Sequence, residues 1–326
     1  MTEVPALQDP ALEPLNGLTP GRFRDLAAMP SEAEWFANIR NDRTRRAYRR
    51  DVHEFCAFAG ITGPGDMRAV TRPHVIAWRH TLEERGLAPA SIRRKLSALA
   101  SLFDHLCECN AVADNPVRGV KRPPVEAAGE GKTPALSDAE ARALLDAPPA
   151  GTLKGQRDRA ILAVLLYHGL RRAELCTLQV RDIQRREGVM HLRVHGKGGK
   201  VRFIPAHPHA LRLVEAWLEA AGHGADPAAP LFQPLHSNRG ADMRPLEDGA
   251  VYRDIVRYWA SAAGIDERAG LCVHSLRATA ATNALQHEAD IGRVQDWLGH
   301  ACVSTTRLYD RRAARPEDSP TFRVKY

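Results

Sequence analysis

The chain has 326 residues, 44% of them hydrophobic, enough for two packed cores, and no apolar run approaches the length that spans a membrane. Its 46 lysines and arginines exceed 39 acidic residues, a net charge of +7 with a pI near 9.3, which points toward a polyanionic partner such as nucleic acid. Six cysteines (Cys56, Cys107, Cys109, Cys176, Cys272, Cys302) form no C-x-x-C pair and fourteen histidines form no H-E-x-x-H, which argues for reduced thiols in a cytosolic protein and against a disulfide framework or zinc cage.

Residues 1–30 are acidic and proline-rich without periodicity or an apolar core, so they are expected to form a flexible N-terminal arm and not a secretion signal. From 31 to 122 the pattern is helical. In TRRAYRRDVHEFCAFAG, Tyr48, Val52, Phe55 and Ala59 share one face, and in ASIRRKLSALASLFDHLCECNAV, Ile92, Leu96, Leu99, Phe103 and Leu106 do the same. Gly60, Gly86 and Pro89 mark the breaks. Arginine concentrates in RNDRTRRAYRR (40–50) and SIRRK (91–95), on the faces the apolar stripes leave exposed, and its planar fork suits phosphate.

A proline- and glycine-containing stretch at 123–134 reads as a linker. Its GEGKT is like the end of a phosphate-binding loop, but the required first glycine is Glu126, which removes ATP binding from consideration. The second domain, 135–326, opens on LSDAEARALL, where Ser137 and Glu140 make a capping box, and continues in GQRDRAILAVLLYHG, which ends at Gly169. VMHLRVHGKGGKVRFIPA alternates about a Gly-Lys-Gly-Gly turn, predicting a β-hairpin with Lys197 in its turn. Helices are expected over 207–221, 247–263, 274–286 and 289–298, with a short one around Tyr309.

Four polar clusters punctuate this domain. In GLRRAEL (169–175), Arg171 and Glu174 are three apart on one helix face; HGKGGK offers Lys197 on a flexible hairpin; HSLR places His274 and Arg277 at i and i+3; WLGHACVSTTRLYD brings His300 and, nine residues on, Tyr309. Two arginines, a lysine, two histidines and a tyrosine suit phosphoryl transfer: guanidinium forks hold non-bridging oxygens bidentately, and a tyrosine nucleophile keeps the phosphodiester bond energy in a covalent intermediate. No ATP site or metal cage is then needed.

In this order, G-L-R-x-x-E-L, G-K-G-x-K, H-x-x-R, L-G-H and the following tyrosine resemble the tyrosine recombinases, the phage-integrase-like site-specific recombinases that include Xer proteins and integrases, over residues from about 31 to 310. The resemblance implies a mainly α chain: an N-terminal SAM-like helical core-binding domain (31–122) and a mixed α/β catalytic domain, mostly α with a small antiparallel sheet. It implies that Tyr309 attacks the scissile phosphate to form a 3′-phosphotyrosyl link, that Arg171 and Arg277 clamp the phosphate, and that His300 assists by hydrogen bonding. Lys197 is then the general acid, His274 aids proton transfer at the nucleophile, and Glu174 organises the site behind Arg171. Arg172 competes with Arg171, and the sequence alone does not decide between them.

The same resemblance implies a homotetramer on double-stranded DNA with paired recombination sites, two domains clasping the duplex from opposite sides, a Holliday junction, and no cofactor or metal. Arg43, Arg45, Arg46, Arg93, Arg94 and Lys95 are the expected phosphate contacts. The protein is expected in the cytoplasm, with the nucleoid. Many family members continue past the tyrosine into a helix that docks on a neighbouring subunit, whereas Pro316 and Pro320 forbid a long helix here, leaving FRVKY as a short strand or extended peptide. The arm and tail favour a mobile element or plasmid over chromosome-dimer resolution. A type IB topoisomerase, a non-catalytic DNA-binding protein of the same fold and a metal nuclease are the alternatives. The presence of all six catalytic positions disfavours the second, and the lack of a carboxylate cluster the third.

Overall fold

Apolar residues at three- and four-residue steps build the first part of the chain from helices alone. The computed structural model describes residues 31–124, 133–236, 240–241, 243–265 and 270–310. The expected N-terminal arm, most of the expected linker and the tail beyond 310 lie outside the described residues, as does the side chain of Lys197. Contacts divide the chain into two units, Met1–Ala127 and Ala128–Tyr326.

In the first unit, α1 (Ser31–Asn38), α2 (Asp42–Ala59), α3 (Pro64–Arg68), α4 (Arg72–Glu84) and α5 (Pro89–Glu108) enclose one core. The Asn41 side chain starts α2 by accepting the N–H groups of Arg43 and Thr44 at 3.0 and 3.1 Å, and Gly60 ends it with φ 67°. The predicted stripe of α5 is wholly inside: Ile92, Leu96, Leu99, Phe103 and Leu106 are each at most 1% exposed. Phe55 meets the edge of Trp78 at 5.1 Å, and Trp35 of α1 donates to Ser101 Oγ at 3.1 Å, which ties the first helix onto α5.

In the second unit, α6 (Asp138–Asp146) begins on the Ser137/Glu140 capping box. It packs against α7 (Leu153–His168), whose second half is apolar on every face, with Ala160 to Leu165 all buried. After α8 (Arg172–Thr177) come β1 (Ile183–Arg186), β2 (Val189–His195) and β3 (Val201–Pro205), an antiparallel sheet in that order, with Ile183 opposite Leu192 and Leu192 opposite Ile204. The hairpin β2–β3 is where periodicity put it. Strand β1 (IQRR) has no alternation to announce it and forms because β2 offers a free edge.

Helix α9 (Pro208–Ala221) lays Trp217 against the core, and a two-residue ladder, β4 (Leu235–His236) with β5 (Gly240–Ala241), follows. The predicted helix 247–263 is divided: α10 (Asp248–Ala250) and α11 (Arg257–Ala262) flank a π-helical turn over Val251–Val256. Then come α12 (Val273–Gln286), α13 (Ile291–Leu298) and α14 (Val303–Arg307). The expected helix around Tyr309 stops short of it. Tyr309 sits in a turn in which its N–H reaches Thr306 O, and its own carbonyl accepts from Thr282 Oγ1 of α12 at 3.2 Å. It belongs to one buried cluster with Ala278, Ala281, Leu285 and Leu298, and this docking overrides helix continuation.

Candidate active site

Two of the helices that end at left-handed glycines meet here, α7 at Gly169 (φ 59°) and α13 at Gly299 (φ 66°). Helix C-termini leave carbonyls without partners and carry negative partial charge, so they attract cations. Arg277 of α12 fills that role twice, donating Nη1 to Gly169 O and Nη2 to Leu298 O, both at 2.6 Å. Arg171, the residue that caps α8, donates Nη2 to Gly299 O at 2.9 Å. The two helix ends come so close that a methyl on Gly169 would lie 2.7 Å from Leu298 Cδ2. Glycine is required there by space as well as by φ.

Glu174 holds the arginines in register. Its carboxylate accepts the Arg171 N–H and Nη1 at 2.8 and 2.7 Å, and both Nη groups of Arg202 at 2.8 Å. It is 4% exposed, so this is no surface ion pair. The hydrogen bonds and charges of Arg202 and Arg171 outweigh burial and hold its carboxyl below the usual range. Arg202 also donates Nε to Trp297 O at 3.2 Å, tying strand β3 to the end of α13. The sequence reading missed Arg202, and its signal was weak: one arginine in an otherwise uncharged strand.

The hairpin turn Lys197–Gly199 is closed by Gly196 N–H to Lys200 O at 2.7 Å, and its base lies against this network: a methyl on Gly196 would be 3.9 Å from Glu174 Oε1. Of the competing arginines, Arg171 joins the cluster, while Arg172 faces Asp248, with Nε 3.9 Å from Oδ2.

The Tyr309 hydroxyl lies 2.9 Å from His274 Nε2 and the ring is 5% exposed. His300 stacks at 6.0 Å from the same ring, and its Nδ1 lies 2.9 Å from Oγ1 of the buried Thr306, another residue sequence reading passed over. Burial pushes the Tyr309 phenol up, against the pull of Arg277 and Arg171, so it rests neutral. Burial and then Arg277 and Arg171 push His274 below 6.5 and His300 to about 4. Neutral His274 is therefore free to accept the phenol proton at Nε2. Arg277 is 1% exposed and desolvation lowers its pKa to about 10, which leaves it charged at neutral pH. Two of its five N–H donors go to these carbonyls, and its buried Nε has no hydrogen-bond partner. An anion beside Tyr309 meets unsatisfied donors, a phenol and a neutral base.

The six side chains named for phosphate contact in the first unit fare differently. Lys95 is 6% exposed, with its ammonium between Asp51 and Glu54, and Arg94 pairs with the same buried Asp51. The structure does not leave Lys95 free for phosphate, because its charge balances two carboxylates inside the unit. Arg45 folds back onto Ile39 O at 2.8 Å. Arg43, Arg46 and Arg93 are exposed, and Arg93 donates to Pro123 O at 3.4 Å.

Residues 134–315 match the Phage integrase family, and 36–108 match the phage integrase N-terminal SAM-like domain. The chain is 35% identical to tyrosine recombinase XerD of Pseudomonas putida, over 85% of this chain and 89% of that protein. It is 34% identical to tyrosine recombinase XerC of Pelobacter propionicus, over 82% and 83%. Among solved structures, the fold is similar to the Tn1549 transposon integrase in complex with circular intermediate DNA (TM-score 0.66, 18% identity, 91% of this chain and 100% of that one). It is also similar to a lambda integrase tetramer bound to a Holliday junction (TM-score 0.62, 19% identity, 92% and 80%).

Proposed function

Since this chain belongs to the phage integrase family and is a tyrosine site-specific recombinase, we propose that Tyr309 opens a DNA strand at one phosphate and that the 5′-hydroxyl of a partner duplex reseals it. The Tyr309 oxygen forms the bond to phosphorus as the phosphorus bond to the 5′-oxygen breaks, giving a 3′-phosphotyrosyl link. The phenol proton passes to His274 Nε2, and Lys197 protonates the departing 5′-oxygen. Arg171 and Arg277 hold the non-bridging oxygens, and His300 adds a hydrogen bond through Nε2 when Thr306 donates to its Nδ1. Glu174 sets Arg171. The phosphate bond energy stays in the intermediate, so the chemistry uses neither metal nor ATP.

The observation that carries this reading is the 2.9 Å contact between the Tyr309 hydroxyl and His274, with both arginines held beside it by helix ends. Strand exchange on paired sites through a Holliday junction, by a tetramer bound with both units on duplex DNA, is the larger part of the proposal. It is supported by the lambda integrase neighbour, which forms a tetramer on such a junction.

The test is a nicked suicide duplex drawn from DNA flanking the gene, incubated in EDTA and resolved on a denaturing gel. We expect a covalent protein–DNA band that Tyr309→Phe abolishes while duplex binding persists. A band that survives in Tyr309→Phe, or one that needs magnesium, overturns the mechanism. Joining of two duplexes, and not relaxation of a supercoil, separates recombination from topoisomerase activity.

A further inference from the structure

Among the described residues, one cluster of ligating side chains lies apart from the catalytic residues, in the first unit. His105 and Cys109 stand one helical turn apart at the end of α5, where Cys109 is the C-terminal cap. Cys109 Sγ lies 3.5 Å from His105 Nε2, and Glu34 Oε2 of α1 lies 3.8 Å from the same nitrogen. All three ligand atoms fall within 4.8 Å of one another. A tetrahedral zinc ion, with bonds of about 2.3 Å to sulfur and about 2.0 Å to nitrogen, sets its N···S edge at about 3.5 Å. The pair already has that spacing.

We propose that Glu34, His105 and Cys109 bind a borderline divalent cation, zinc or cobalt(II), at the junction of α1 and α5. Imidazole and thiolate select such ions over magnesium and calcium, which take oxygen ligands. Binding displaces the Cys109 proton to solvent, and one thiolate with one carboxylate then balances the dipositive charge. A groove of about 430 Å³, lined in part by Trp35, Ser101, His105 and Glu108, adjoins the cluster and has room for water as a fourth ligand. The ion clips α1, otherwise anchored through Trp35 and Phe36, to the far end of α5. Sequence spacing hid the site because its third ligand comes from another helix and no C-x-x-C is involved.

The experiment titrates reduced, tag-free full-length protein with Co²⁺ and follows the near-ultraviolet sulfur-to-cobalt charge-transfer band. We expect saturation at one equivalent, loss of the band in Cys109→Ser and its retention in Cys107→Ser. Glu34→Gln and His105→Gln are expected to weaken affinity by at least the roughly tenfold that even an outer-sphere partner is worth. Zn²⁺ should displace Co²⁺ and raise the thermal midpoint of the wild type but not of Cys109→Ser. Cys109 is exposed, so its serine variant should fold, with His105→Gln as the independent check. A band that persists in Cys109→Ser, one lost in Cys107→Ser, or no band in large cobalt excess overturns the site.

Discussion

Histidine shows how one residue type is put to different uses here. His168 is 2% exposed, its Nδ1 hydrogen-bonds Val164 O at 3.2 Å, and its Nε2 accepts the His207 N–H at 2.9 Å. Both nitrogens are thus committed to a neutral tautomer, and burial pushes its pKa to about 4. Unfolded, it titrates near 6.5, so the unfolded chain binds the extra proton. Its contribution is complete above pH 6.5 and is lost as pH falls from there toward 4, about 3 kcal/mol in all. His168→Gln keeps a donor and an acceptor without the titration. Its thermal midpoint should fall less steeply between pH 7 and 4.5 than that of the wild type, and equal slopes would refute the assignment. At His274 the cause to test is charge. Arg171 helps hold its pKa below 6.5, so Arg171→Gln should slow single-turnover cleavage and also move the acid limb of the pH–rate profile to higher pH. A slower rate with an unmoved limb would show that Arg171 does not tune His274.

Between elements, the site depends on α8, α13 and the hairpin being held together. Arg202 does this through a forked bond to Glu174 and a bond to Trp297 O. Arg202→Ala leaves a buried carboxylate with one cation instead of two, at an expected cost of about 3 kcal/mol. Glu174→Gln combined with Arg202→Met should recover most of the thermal midpoint without restoring cleavage, since Arg171 stays unset. Recovery of both would make Arg202 structural only. The contact between helix ends has its own test. Gly222 has φ 71° and open space where a methyl would stand, whereas Gly169 has φ 59° and the buried Leu298 at 2.7 Å. Gly222→Ala should cost about 1 kcal/mol from backbone strain alone. Gly169→Ala should cost at least twice that and impair cleavage, because its carbonyl holds Arg277. Equal losses would deny the packing argument. The helices and the hairpin were legible because apolar periodicity is a local signal, and Ile92 to Leu106 show it in a single stripe. The clusters GLRRAEL, HSLR and LGH with Tyr309 were legible as motifs. Arg202, Thr306 and the turn at Tyr309 were not, because each is defined by a partner outside its own element or by docking that outweighs local propensity.

For the molecule as a whole, the surplus of positive charge has to be located before it explains anything. A net charge of +7 predicts attraction to DNA but does not say which side chains supply it. The run SIRRK looked as basic as RNDRTRRAYRR, yet Lys95 balances Asp51 and Glu54 within the first unit, while Arg46 is exposed. These two positions should therefore separate in salt titrations of duplex binding. A phosphate contact releases counterions, so Arg46→Ala should lower the slope of log affinity against log salt by about 0.9, with little change in thermal midpoint. Lys95→Met should leave the slope intact, because that ammonium faces carboxylates, and should lower the midpoint by leaving Asp51 with Arg94 alone and Glu54 with Arg85. If Lys95→Met reduced the slope as much as Arg46→Ala, the buried network would have to open on DNA, and Asp51 would be its gate and not its anchor. Slope measured against stability distinguishes a charge that meets DNA from one that holds the fold which presents it.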